Sequence, residues 1–187
     1  RTWRCFATFG GPEDPFLPPD NFQEDPKPVT AHRTSPTNMG LYLLSTIAAR
    51  DFGWIGTIEA VDRLEATLAT MARLERLHGH FFNWYDTTDL RPLEPRYVSS
   101  VDSGNLAGHL IALGRACREI IERPLMAPAA HAGIEDAAFL LRESVEAPAE
   151  NHEARSETRQ RFDRALDGIL IAVKSHSDAG KWPEHLA

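Results

Sequence analysis

The 187-residue chain predicts an all-α fold built of antiparallel helical hairpins. Three observations carry that expectation. Apolar residues recur at steps of three and four in several separate segments, no segment sustains the alternation of a strand, and the periodic segments are bounded by Ser, Pro and proline-rich breaks. A short hairpin around residues 81–98 is the most β-structure this pattern accommodates. The whole chain reads as a single helical fragment, 1–187: a helix end with a proline-rich extended segment (1–36), core helices with a long loop between them (37–125) and C-terminal helices (126–187).

The chain opens at Arg1, inside the helix-like "RTWRCFATF", and reads as a piece of something longer. Between this stretch and the next helix, "GGPEDPFLPPDNFQEDPKPVTAHR" leads into Pro36, with seven prolines from Pro12 to Pro36 stiffening an extended path. Phe16, Leu17 and Phe22 are anchors that solvent would waste, so the segment is expected to lie against the helices. Its acidic "DNFQED", Asp20 to Asp25, reads as a solvated turn rather than a metal site.

A helix begins at "SPTNMGLYLLSTIAARDF", with Ser35 as N-cap and Pro36 in the first helical position. Leu41, Leu44, Ile47, Ala48 and Phe52 form its apolar stripe. From Thr57 to Leu77 the positions Ile58, Val61, Leu64, Leu68, Met71, Leu74 and Leu77 predict a second stripe, with Asp62, Arg63, Glu65, Arg73 and Arg76 turned away. Leu106, Leu110, Leu113, Cys117 and Ile120 repeat the pattern up to Arg123, where Pro124 stops it. Ile134, Ala138, Leu141 and Val145 mark a short helix, and Phe162, Leu166, Ile169, Leu170 and Val173 a longer one. "SVEAPAENHEARSE", residues 144–157, has only small apolar groups and reads as a solvated break.

Between the helices lies "GHFFNWYDTTDLRPLEPRYVSSVDSGNLAG", residues 79–108, with five aromatics, three aspartates and two asparagines. Loops beyond roughly 12–15 residues tend to be functional or disordered, and disordered segments are poor in aromatics. Neutral sugars are bound by aromatic faces stacked on ring C–H patches and by carboxylate and amide groups that satisfy pairs of hydroxyls. "NWYD", Asn83 to Asp86, offers both within one turn of chain. "SSVDSGN", Ser99 to Asn105, adds Asp102 and Asn105 at the start of the next helix, where Ser100, Asp102 or Ser103 equally suits a capping role. For any one aspartate, capping or turn formation is the competing reading. A cap, however, does not need the neighbouring Trp and Tyr.

The bulk composition is that of one soluble globular domain with a core: 42% hydrophobic and 25% charged. A formal net charge of −7 argues against nucleic acid or an anionic membrane as the main partner. Cys5 and Cys117 stand apart without metal or redox spacing and read as free thiols. No apolar run approaches the roughly 18 residues that span a bilayer. His78 and His80 in "HGH" lack a second pair of zinc ligands, and "DFGWIG" lacks the strand and GK[ST] of a phosphate loop. The kinase-like "DFG" has neither a catalytic loop nor a glycine-rich loop beside it, so Trp54 reads as a core aromatic at a helix end. No metal or other cofactor is expected.

The stretch Leu17 to Leu113, through "TSPTN" (Thr34 to Asn38), "NWYD" (Asn83 to Asp86) and "SVDSGN" (Ser100 to Asn105), resembles the segment of cyclic β-1,2-glucan synthases that follows their glycosyltransferase region. The resemblance implies a very large bacterial inner-membrane enzyme that polymerises glucose from UDP-glucose, closes the β-1,2-glucan into a ring and trims it. It also implies that this chain forms the opening helices of a glucoamylase-like (α/α) toroid, the part that carries out ring-closing transglycosylation, on the cytoplasmic side of the membrane. Asn83, Trp84, Tyr85, Asp86, Ser100, Asp102 and Asn105 are then expected to line the glucan cleft. The implied partners are a β-1,2-glucan chain and the remaining domains of the parent synthase. Catalytic carboxylates are not assigned: the general acid and base belong, on this resemblance, to later portions of the domain. The alternative is a structural or carbohydrate-binding module that guides the glucan. Helix faces left without neighbours also suggest a homodimer of the isolated fragment.

Overall fold

A computed structural model describes residues 2–122, 129–145 and 154–178. These residues are mostly helical, as the sequence predicts, with six helices and three two-stranded ladders among them. They fall into two compact units, Arg1–Ala49 with Thr57–Arg123, and Arg50–Gly56 with Pro124–Ala187.

In the first unit, α1 (Thr2–Phe9) sets Phe6 edge-on to Tyr42, with ring centroids 5.5 Å apart. The Tyr42 hydroxyl donates to the Gly10 carbonyl at 2.9 Å, so the chain leaves α1 directly over that ring, where a side chain at Gly10 would collide with it. The proline-rich segment then runs as a strap along the helices. Leu17, Pro18 and Pro19 are buried, and Phe22 packs on Phe9 at 4.6 Å. Within the strap, β1 (Phe22–Gln23) pairs with β2 (Val29–Thr30), and β3 (Arg33–Thr34) follows.

Helix α2 (Pro36–Asp51) starts as expected. Ser35 Oγ accepts from the Asn38 amide at 3.2 Å, and Pro36 opens the first turn. Met39, Tyr42, Leu43, Thr46, Ile47 and Ala49 are among its buried residues, while Leu41 and Phe52 of the predicted stripe are exposed. Helix α3 (Thr57–Arg73) is likewise rotated from the predicted stripe. Ala60, Leu64, Thr67, Thr70 and Met71 face inward, whereas Ile58, Val61 and Leu68 face out, Ile58 with 76% of its surface exposed. The reason is the strap: Thr67 Oγ1 donates to the Phe16 carbonyl at 3.0 Å and to its own helix at Arg63. A satisfied threonine can be buried there, and a count of apolar residues alone misses that face.

After α3, β4 (Arg76–Leu77) and β5 (His80–Phe81) form a hairpin closed by His78 and Gly79, both at positive φ (50° and 87°). Two positive-φ loop residues are the requirement of a type I′ turn, which explains Gly79 and gives the "HGH" histidines a place in the hairpin. The next strand, β6 (Tyr85–Asp86), pairs with β3 of the strap, Arg33 opposite Asp86 and Thr34 opposite Tyr85. The expected turn-back within 81–98 is also present: Tyr85 bridges Pro92, and the Asn83 amide donates to the Tyr97 carbonyl at 2.8 Å.

Helix α4 (Ser100–Glu122) is capped by Ser99, whose Oγ accepts from the Asp102 amide at 3.1 Å. Capping by Ser100, Asp102 or Ser103 is thereby corrected: the helix already begins at Ser100, ahead of where any of the three would have to cap it. Leu106 and Leu113 are buried, and Cys117 and Ile120 pack on the core edge. That core joins Leu17, Met39, Leu43, Ile47, Leu64, Met71, Leu74, Phe82, Tyr85, Leu106 and Leu113.

In the second unit, α5 (Ala129–Val145) packs on α6 (Ala154–Asp178). Ala138, Leu166 and Val173 are buried, and Arg142 bridges Asp167 at 2.6 Å. The break expected over 144–157 falls largely outside the described residues; residues 144–145 end α5 and residues 154–157 begin α6. Trp54 is half exposed instead of core, stacked on Phe52 with centroids 5.0 Å apart and donating to Asp136 at 3.2 Å. No helix among the described residues is long and apolar enough to cross a membrane.

Candidate functional site

Three elements of the first unit share one hydrogen-bond network: the loop carrying Asn83 and β6, the first turn of α4 and, through Asp102, the start of α2. Asn83 is buried, so its amide must be satisfied from within. Its Oδ1 accepts from Trp84 Nε1 at 2.6 Å and from the Tyr97 hydroxyl at 2.7 Å, and its Nδ2 donates to Asp102 Oδ2 at 3.2 Å. The reversed amide would set donor against donor and acceptor against acceptor, which assigns the orientation.

Asp102 extends the network. Because Ser99 caps α4, the Asp102 carboxylate is left to accept from Thr37 Oγ1 at 2.6 Å through its other oxygen. Thr37 Oγ1 in turn accepts from Asn105 Nδ2 at 3.1 Å. Thr37 lies in the first turn of α2, so this chain of bonds fixes the α2 and α4 N-termini to each other. One turn further along the same seam, Gly40 leaves room for His109, whose ring lies where a side chain at Gly40 would sit.

The predicted residues separate into two groups. Asn83, Trp84, Asp102 and Asn105 share the network, and Ser100 is exposed at the start of α4. Tyr85 and Asp86 point elsewhere. Tyr85 is fully buried, its hydroxyl donating to the Glu75 carbonyl at 2.7 Å and accepting from the Phe82 amide at 2.7 Å. Burial raises its pKa above the usual phenol value, a neutral phenol being favoured there. Asp86 folds its own turn, with Oδ1 accepting from the Thr88 hydroxyl at 2.5 Å and the Thr88 amide at 2.8 Å. The Thr88 hydroxyl, then the two turn amides, hold the Asp86 carboxyl below the ordinary range.

Four further residues enter the site. Thr37 lies within "TSPTN", one of the motifs that carry the resemblance, and is not singled out among its residues. Tyr97 was one loop aromatic among several. Arg33 sets its guanidinium over the Trp84 ring, 4.8 Å from the centroid, and Asp20 holds it there at 2.9 Å. Asp20 also accepts from Asn38 Nδ2 at 3.3 Å, so this part of "DNFQED" is tied into the fold instead of being merely solvated. The β3–β6 pairing places Arg33 beside Trp84, and sequence distance conceals it. Below them, buried Asp14 accepts from His32 Nδ1 at 2.8 Å and from the Thr87 hydroxyl at 2.5 Å, fastening strap to loop.

Chemically, the network presents aromatic rings, an amide, a hydroxyl and a carboxylate on a rigid frame. Among the described residues no group of three or more His, Cys, Asp or Glu is placed to hold a metal ion. Asp86 and Asp102 engage separate sets of partners, Thr88 and Thr37 respectively.

No family model matches the chain. What defines its class is similarity to a polysaccharide synthase: in an alignment of 182 positions that covers 93% of the chain, it is 52% identical to a curated protein of Rhizobium meliloti (strain 1021). That relative is the cyclic beta-(1,2)-glucan synthase NdvB, to one segment of which the chain is homologous. It spans 6% of the relative's length.

Proposed function

We propose that this chain is the opening part of the glucoamylase-like transglycosylation region of a membrane-associated cyclic β-1,2-glucan synthase and supplies part of its glucan-binding surface. The helices would be the first of an (α/α) toroid, and the parent protein would make and close the ring. The observation that carries the reading is the Asn83-centred network, which gathers Trp84, Tyr97, Asp102, Thr37 and Asn105 from three elements. A seam needed only for helix packing could be apolar; this one fixes two aromatic rings by their polar edges and sets the exposed Asn105 amide beside the Thr37 hydroxyl at a helix start. That is the equipment of a sugar site.

The fragment binds glucan in this reading but neither polymerises it nor closes it, because the catalytic carboxylates lie in later portions of the domain. Incubating the 187-residue chain and an extended domain with linear β-1,2-glucan tests both halves. Binding by the fragment, with ring closure only by the extended domain, supports the reading. Release of cyclic glucan by the fragment alone, or no glucan binding by either, overturns it. A second reading, a guiding module that never joins the catalytic cleft, draws on the absence of a proton-transfer pair from the network; in that case the extended domain closes rings equally well when Trp84 is replaced.

A further inference from the structure

We propose that Tyr97 is the stacking platform of this site and that Trp84 is its capped support. The inference rests on the glucan-binding reading above and assigns the contact within it.

Two rings hydrogen-bond the same Asn83 oxygen, Trp84 through Nε1 and Tyr97 through its hydroxyl. They differ in what covers them. The Trp84 ring is partly buried and carries the Arg33 guanidinium over one face at 4.8 Å, with that guanidinium anchored by two bonds to Asp20 Oδ2, from Nε at 3.2 Å and Nη2 at 2.9 Å. A pyranose stacking on that face would have to displace an anchored cation. Tyr97 is 49% exposed. Its hydroxyl is tied to a buried amide, and its carbonyl accepts from the Asn83 amide at 2.8 Å, so both ends of the residue are pinned while the ring stays open. A large apolar ring held in solvent by hydrogen bonds at its edge is a preorganised platform: it offers stacking area without needing to be ordered on binding.

The test is the binding of linear β-1,2-glucan oligosaccharides to the 187-residue chain by titration calorimetry, with wild type, Tyr97→Ala, Tyr97→Phe and Arg33→Ala compared and thermal unfolding recorded for each. The platform assignment expects Tyr97→Ala to weaken binding about tenfold, the scale of one lost stacking contact, and Tyr97→Phe to stay within about threefold of wild type. Arg33→Ala is expected not to tighten binding. Three results overturn the assignment: unchanged binding in Tyr97→Ala; an equal loss in Tyr97→Phe, which would place the effect in the hydroxyl instead of the ring; or tighter binding in Arg33→Ala, which would make the uncovered Trp84 face the platform. If wild type itself binds none of the oligosaccharides, the underlying glucan reading fails and the assignment with it, a result distinct from a difference among variants. Should Tyr97→Ala fail to fold, Tyr97→Leu replaces it, and wild-type affinity in that variant overturns the proposal.

Discussion

The Thr37 hydroxyl donates to Asp102 Oδ1 at 2.6 Å, joining the first turn of α2 to the first turn of α4. Neither residue needs this bond for its own helix, since Ser35 and Ser99 supply the caps. The bond therefore belongs to the seam. Replacing Thr37 by Val keeps the volume but leaves Asp102 Oδ1 without its donor, Oδ2 keeping the Asn83 amide, and takes the acceptor from Asn105 Nδ2. A loss of about 1–3 kcal/mol is expected, read as a lower melting temperature, because unsatisfied polar groups at a packed seam cost their desolvation.

Tyr85 stands on the core side of the same loop. Tyr85→Phe is expected to destabilise the chain by about 1–3 kcal/mol in urea unfolding, since the Phe82 amide and Glu75 carbonyl both lose their buried partner. Glucan affinity of the folded protein should not change. A selective loss of affinity without a loss of stability would place Tyr85 against the ligand.

For Asp86 the expected signature is in pH. Its carboxyl is held below the ordinary value of 3.8, chiefly by the Thr88 hydroxyl, so ionised Asp86 favours the folded loop. This contribution is fully present above that ordinary value and disappears as pH falls through the depressed one. Asp86→Ala should then be less stable than wild type at neutral pH, with the two melting curves converging as the solution is acidified below about pH 4. A difference that persists unchanged in acid would mean that the carboxylate charge contributes nothing to the turn.

Gly40→Ala tests the close approach of α2 and α4. The added methyl group falls on the His109 imidazole, so the helices must separate or the ring must move. Overpacking of this kind costs about 1–3 kcal/mol, and the double variant Gly40→Ala/His109→Ala should recover part of it. Failure of the second substitution to recover any stability would remove His109 as the obstacle.

How much of this was legible in the sequence differs by element. The N-cap of α2 and the helical class follow from local spacing, which the chain carries residue by residue. The inward faces of α2 and α3 followed from apolar counting only in part: Ile47, Leu64, Met71 and Leu74 of the expected stripes are in the core, but Thr46, Thr67 and Thr70 are buried beside them. Of the site, "NWYD" and "SVDSGN" drew attention through composition, yet composition does not separate Trp84 from Tyr85. Strand alternation does: on β6, Tyr85 faces the core and its neighbours do not. Arg33, Asp20 and Tyr97 reach the site through the β3–β6 pairing and the fold-back of the loop, and long-range pairing leaves no local mark in a sequence.

The β3–β6 ladder ties Arg33 to Asp86 with two whole helices between them in the chain. As the polypeptide leaves the ribosome, the strap emerges first and must wait, its strand edge unmatched, until α2, α3 and the following loop have been made. Closing so long a segment is entropically slow compared with winding any one helix. The aromatic loop is therefore among the last parts of this unit to take shape, and a cut anywhere between strap and loop would turn an internal closure into a meeting of two separate chains.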